Sequence, residues 1–159
     1  MFVFGGATGP AAYSNGVWAL SLSKGTWAQV STQGAVPPPV TAPAHALVDN
    51  ALYIFGGLSQ ELGLLPYMYV LNLDTNTWRR EVAYGARPDG HFGATLVHDK
   101  DRGQLILFGG SRYISPGTVR DPLRSGVLRT YDLATRVWRV VATAPVFCST
   151  GACLARTLH

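Results

Sequence analysis

The sequence predicts an all-β repeat fold, and three observations carry that prediction. Phe-Gly-Gly occurs three times, at Phe4-Gly5-Gly6, Phe55-Gly56-Gly57 and Phe108-Gly109-Gly110. Each copy is followed by a tryptophan, at Trp27, Trp78 and Trp138, so the self-similarity has a period of roughly 50 residues. Between these marks the apolar residues come in short runs split by polar turn residues, and no stretch keeps a helical period.

The elements follow in order. Met1-Phe-Val-Phe4 reads as a strand that ends in the first glycine pair. His45-Ala-Leu-Val-Asp-Asn-Ala-Leu-Tyr-Ile-Phe55 reads as a hairpin, because Asp49-Asn50 tolerates the left-handed backbone of a tight turn. Ala94 to Phe108 repeats it with four more residues, which predicts a longer turn. Ahead of each tryptophan lies an apolar strand and a polar turn: Ala19 to Trp27, Val70 to Trp78 and Thr130 to Trp138. One repeat therefore holds four short antiparallel strands. The predicted organisation is a partial blade over 1–31, blades over 44–83 and 92–142, and the start of a further blade over 151–159, where Gly151-Ala-Cys-Leu-Ala155 matches Gly93-Ala-Thr-Leu-Val97.

This pattern resembles the kelch repeat: a strand ending in double glycine, an aromatic such as Tyr131 before a polar turn, a tryptophan on the fourth strand, and a Pro/Arg/His-containing lead such as Arg87-Pro88 through His91. Leu20 and Leu71 depart from it at the position of Tyr131, and the lead from Pro37 to His45 lacks arginine. The resemblance implies a kelch-type β-propeller segment of about three four-stranded antiparallel blades. It also implies a structural histidine in the leads, at His45 and His91. Physics gives the same residues their roles. Gly5, Gly6, Gly56, Gly57, Gly109 and Gly110 allow positive φ and close backbone approach, and each tryptophan can fill the wedge between adjacent sheets. A single sheet cannot cover its own apolar faces, so the blades need radial stacking, usually four to eight to a ring. The expected completion is the remaining blades of a longer propeller; the rival is a second copy of the chain, two halves making six blades.

The composition of the 159-residue chain, 47% hydrophobic and 14% charged, suits one domain of packed sheets. No apolar run is long enough to cross a bilayer as a helix. The net charge of +4 is modest, and its arginines gather in the third repeat without the exposed aromatics that a nucleic-acid surface uses. Neither membrane nor nucleic acid is an expected partner. Cys148 and Cys153 either close a small loop in an oxidising compartment or remain thiols. The chain holds no Asn-x-Ser/Thr acceptor, and a cytoplasmic location is expected.

His45, His91, His98 and His159 show no zinc-like pairing, no Gly-x-Ser-x-Gly elbow occurs, and the glycine pairs recur as architecture rather than as a phosphate loop. Asp74 and Asp132 are expected to bond their own turns. No catalytic residue, metal or cofactor is predicted. In an up-and-down blade the second-to-third loops share a face with the inter-blade leads. The third such loop, Ser111–Val127, is the longest and carries Arg112, Tyr113, Arg120 and Arg124, residue types favoured at interface hot spots. The expected function is binding of a protein partner by a scaffold or adaptor. The alternative is a small-molecule enzyme or metal oxidase on the same propeller.

Overall fold

The computed structural model describes residues 1–10, 12–112 and 126–143, and the backbone of Leu123–Arg124, Val146–Ser149 and Ala152–Ala155. Every regular element among them is a strand. Blade one comprises β1 (Phe2–Phe4), the loop ribbon β2 (Ala7–Gly9) and β3 (Ala12–Tyr13), then β4 (Val17–Ser21) and β5 (Thr26–Val30). A lead strand, β6 (Gln33–Gly34), joins it to blade two: β7 (Ala44–Val48), β8 (Ala51–Phe55), the loop ribbon β9 (Leu58–Ser59) and β10 (Gly63–Leu64), β11 (Met68–Asn72) and β12 (Thr77–Arg80). The second lead strand is β13 (Tyr84–Gly85). Blade three is β14 (Phe92–Asp99), β15 (Gln104–Arg112), β16 (Leu123–Arg124), β17 (Val127–Asp132) and β18 (Val137–Thr143), followed by β19 (Val146–Ser149) and β20 (Ala152–Ala155).

The main strands are antiparallel neighbours in chain order, as the sequence predicted: β1-β4-β5, β7-β8-β11-β12 and β14-β15-β17-β18. Two features go beyond the repeat pattern. Each lead strand adds a parallel rung to the next blade, β6 beside β12 and β13 beside β18. Here glycine is required twice over: Gly34 and Gly85 have φ near +85° and +75°, and a β-carbon on either would meet the carbonyl oxygen of Trp78 or Trp138 at 2.3 and 2.4 Å. Secondly, β20 pairs with β19.

The turns refine the sequence reading. Asp49 takes φ 49° in the two-residue β7–β8 turn, while Lys100–Gly103 bridges the matching rung of blade three, a turn longer by two residues rather than four. Asp132 does hold its own turn, its Oδ1 accepting from the backbone N–H of Ala134 and Thr135, and the Thr135 bonds hold its carboxyl below the usual carboxylate range. In blade two that task belongs to Asn72, which accepts from Asp74 and Thr75; Asp74 instead accepts from the Asn50 side chain.

The core lies between blades rather than within them. One buried cluster joins Val17 of blade one to Leu52, Ile54, Leu71 and Trp78 of blade two. The other joins Ala44, Ala46, Phe55 and Met68 of blade two to Leu96, Leu105, Leu107, Tyr131 and Trp138 of blade three. The phenylalanine of the first two glycine pairs sits on the tryptophan of the next blade: Phe4 on Trp78 with centroids 5.2 Å apart, Phe55 on Trp138 at 5.7 Å. Tilted aromatic pairs at these separations add about 0.5–1.5 kcal/mol to their burial.

Beyond the aromatics the two junctions differ. Val30 of blade one packs into the cluster that contains Leu71. At the matching place in the second junction stands Glu81, its side chain 2% exposed. Tyr131 Oη donates to Glu81 Oε1 at 3.1 Å, Arg136 Nε lies 3.3 Å from the same oxygen, and Arg79 pairs with Oε2. Burial pushes the Tyr131 hydroxyl up to about 12, so it stays a donor. Tyr131 is thus not a deviation from Leu71: each residue matches what the preceding blade offers.

Candidate loop-face interaction site

The second-to-third loops and the leads are tied to one another. Gly6 N–H donates to Val40 O, Gly57 N–H to His91 O, and Leu58 and Thr41 exchange backbone bonds. Gly56 and Gly57 have positive φ, and a β-carbon on Gly56 would come within 2.3 Å of His91 O, so the glycine pair is what lets the lead lie across the blade. Val40 and His91 are therefore counterparts, both buried. His91 is a structural histidine: its Nδ1 is 2.6 Å from Asp89 O, and burial lowers its pKa, opposed by that bond. His45 is not. It lies exposed on β7 and lines an open groove of about 200 Å³ with Phe2, Phe4, Pro43 and Ile54.

Of the loop residues singled out from sequence, Arg112 ends β15 and pairs with Asp89 of the lead, joining the root of the longest loop to the inter-blade segment. The backbone of Arg124 lies in β16 opposite Ser111, so the chain comes back alongside β15. Tyr113 and Arg120 lie outside the described residues. Cys148 and Cys153 face each other in the β19–β20 backbone register. All six paired glycines have positive φ. Trp78, Tyr131 and Trp138 are buried, whereas Trp27 is half exposed.

The sequence reading missed several residues here. Arg129 shares the surroundings of Asp89 and Arg112; burial lowers its pKa first, Asp89 acts the other way, and its Nε has no hydrogen-bond partner among the described residues. At the end of the blade-two loop the Arg80 guanidinium stands 4.9 Å over the Tyr67 ring. These two residues, with Glu81, Arg87, Pro88 and Trp138, line a cleft of about 150 Å³ between blades two and three. Tyr67 closes its loop just before β11, and Arg80 ends β12 beside it. Their position at strand ends was the available signal. Among the described residues no group of three His, Cys, Asp or Glu side chains could hold a metal ion.

Paired glycines, an indole on each fourth strand and a core built between sheets define β-propeller blades. The model of the KLHDC2/KLHL20/DRC7 Kelch-repeats domain matches residues 1–154, so the chain belongs to the kelch-repeat family. Among curated relatives, Tip elongation aberrant protein 1 of Schizosaccharomyces pombe is 31% identical over 117 residues, covering 69% of this chain and 10% of that protein. Kelch domain-containing protein 10 of Homo sapiens is 27% identical over 150 residues, 91% of this chain and 32% of the relative. Host cell factor 1 of Mus musculus is 27% identical over an alignment that covers 100% of this chain and 8% of that protein. The chain thus spans a third or less of the length of these three relatives.

Proposed function

We propose that the chain is a protein–protein interaction module, a scaffold or adaptor that offers its loop face to a protein partner. The observation that carries this reading is the Arg112–Asp89 pair, which anchors the root of the longest loop to a rigid lead. Loops fixed on a packed scaffold are favoured places for recognition. Arg112 and Arg129, with Tyr67 under Arg80, supply the arginine and tyrosine character of interface hot spots. Their guanidinium groups suit carboxylates on the partner through paired charge-assisted hydrogen bonds. The clefts of about 150 and 200 Å³ fit single side chains of a protein better than a small substrate, whose pockets run to roughly 300–1,000 Å³.

The test compares partners recovered by the intact chain, by Arg112→Ala, and by a chain shortened across the segment between Arg112 and Arg124. Loss of the same partner in both variants, with an unchanged thermal melt, supports the reading. Undiminished recovery in both sinks it.

A further inference from the structure

The cleft between blades two and three carries side chains that a blade junction does not need. The rung glycines Gly34 and Gly85, and the buried lead residues Val40 and His91, put the first two repeats into one alignment. In that alignment Tyr67, Arg80 and Arg87 of the cleft stand where the first junction has Gly16, Gln29 and Val36. Both junctions keep the phenylalanine-on-tryptophan wedge, so the wedge requires neither that ring nor those two guanidinium groups. Phe55 and Trp138 give the cleft a buried aromatic base. Its mouth is charged. Arg80 and Arg87 are exposed, Tyr67 is 43% exposed beneath the Arg80 guanidinium, and among the described residues no carboxylate lies within ion-pair distance of either arginine. Glu81, the acid in the wall, is already answered by Tyr131, Arg79 and Arg136.

We infer that this cleft takes one ring-sized apolar side chain from an acidic segment of a protein partner, whose flanking carboxylates pair with Arg80 and Arg87. Its volume of about 150 Å³ is that of an apolar cavity able to hold one benzene ring. The sign of the partner's charge follows from the mouth, where two cations without an internal answer attract carboxylates and repel a basic segment. Guanidinium groups hold carboxylates through two parallel N–H···O bonds. An aromatic base inside a charged rim is also how interfaces seat an anchor residue, buried at the centre with polar contacts around it. Both walls, and the lead that runs between them, belong to this chain. The inference rests on the loop-face reading and deepens it, naming the partner's chemistry at a place distinct from the Arg112–Asp89 pair.

The experiment is a heteronuclear NMR titration of the 159-residue chain with end-blocked Glu-Glu-Phe-Glu-Glu, taken to millimolar peptide. The controls are Glu-Glu-Ala-Glu-Glu, Lys-Lys-Phe-Lys-Lys and a single-stranded oligouridylate. The acidic phenylalanine peptide should move the Tyr67 and Arg80 amides and the Trp138 indole N–H with a saturating curve, and each control should bind roughly tenfold more weakly or less. The double variant Arg80→Gln with Arg87→Val carries the first junction's own residues at exposed sites, so its thermal melt should match the parent while its peptide affinity falls roughly tenfold. Absence of shifts at the cleft, equal shifts with any control, or unchanged affinity in the double variant overturns the inference. Recovery of the protein partner separates it from the loop-face reading: a partner lost with Arg112→Ala but kept by the double variant sinks the cleft alone and leaves the loop face standing.

Discussion

The junction between blades one and two is apolar wherever the junction between blades two and three is polar. Val30 packs against the cluster that holds Leu71 in the first, Glu81 bonds Tyr131 in the second, and buried Val40 corresponds to buried His91. Both keep the phenylalanine-on-tryptophan contact. The contrast separates what a blade junction requires, an aromatic wedge and a close backbone lead, from what it tolerates, namely any pair of side chains that satisfy each other. A buried carboxylate is acceptable because a tyrosine hydroxyl and two arginines answer it.

The shared part should carry the largest effects. Trp78→Ala and Trp138→Ala are each expected to cost about 3–5 kcal/mol in urea denaturation, the range for deleting a large buried ring. A clearly unequal pair of losses would show that the polar junction holds its tryptophan differently. The differing part comes next. Glu81→Val strands the Tyr131 hydroxyl and should cost about 1.5–3 kcal/mol. Adding Tyr131→Leu transplants the first junction's chemistry into the second and should recover a good part of that loss. If the double variant shows plain additivity, the two residues are not a matched pair.

Much of this architecture was legible in the sequence because each repeat states it locally: the glycine pair ends a strand, the turn residues mark a hairpin, and the indole opens the fourth strand. The Glu81–Tyr131 match was not, since its members lie in different repeats and each looks like a lapse when its own repeat is compared with the others. The leads misled for a related reason. His45 resembled His91 by type, but Val40 occupies the equivalent place, and the position is defined by a backbone carbonyl that any residue can provide. The face bearing Arg112 could be inferred from strand count and loop length, whereas Asp89, Arg129 and the Tyr67–Arg80 stack emerge only when separate loops are brought together.

Two smaller effects sharpen the comparison. Gly34→Ala and Gly85→Ala should each lose about 1–3 kcal/mol, because the new methyl group collides with backbone at a positive φ. Similar melting shifts in the two are expected, and a large difference would mean that the lead strands are not equivalent. The smallest effect is one of pH. Burial holds the His91 pKa below 6.5, against the pull of Asp89 and with Arg112 and Arg129 acting in the same direction as burial. The unfolded chain therefore takes up the proton first. Stability from this site is full above about 6.5 and falls as pH drops through that value toward the folded pKa. His91→Val should flatten the decline in denaturation midpoint over this window. An unchanged pH profile would assign the dependence elsewhere.

The parallel rungs have a consequence for anyone who would splice such chains. Gln33–Gly34 and Tyr84–Gly85 are contributed by one blade to the rim of its successor. A cut made just after a tryptophan strand keeps each rung with the blade it edges, because the lead comes before that blade in the chain. The exchangeable cassette therefore opens with the lead and closes with the tryptophan strand, whereas a border set beyond the glycine of the rung would strip the following blade of its own hem.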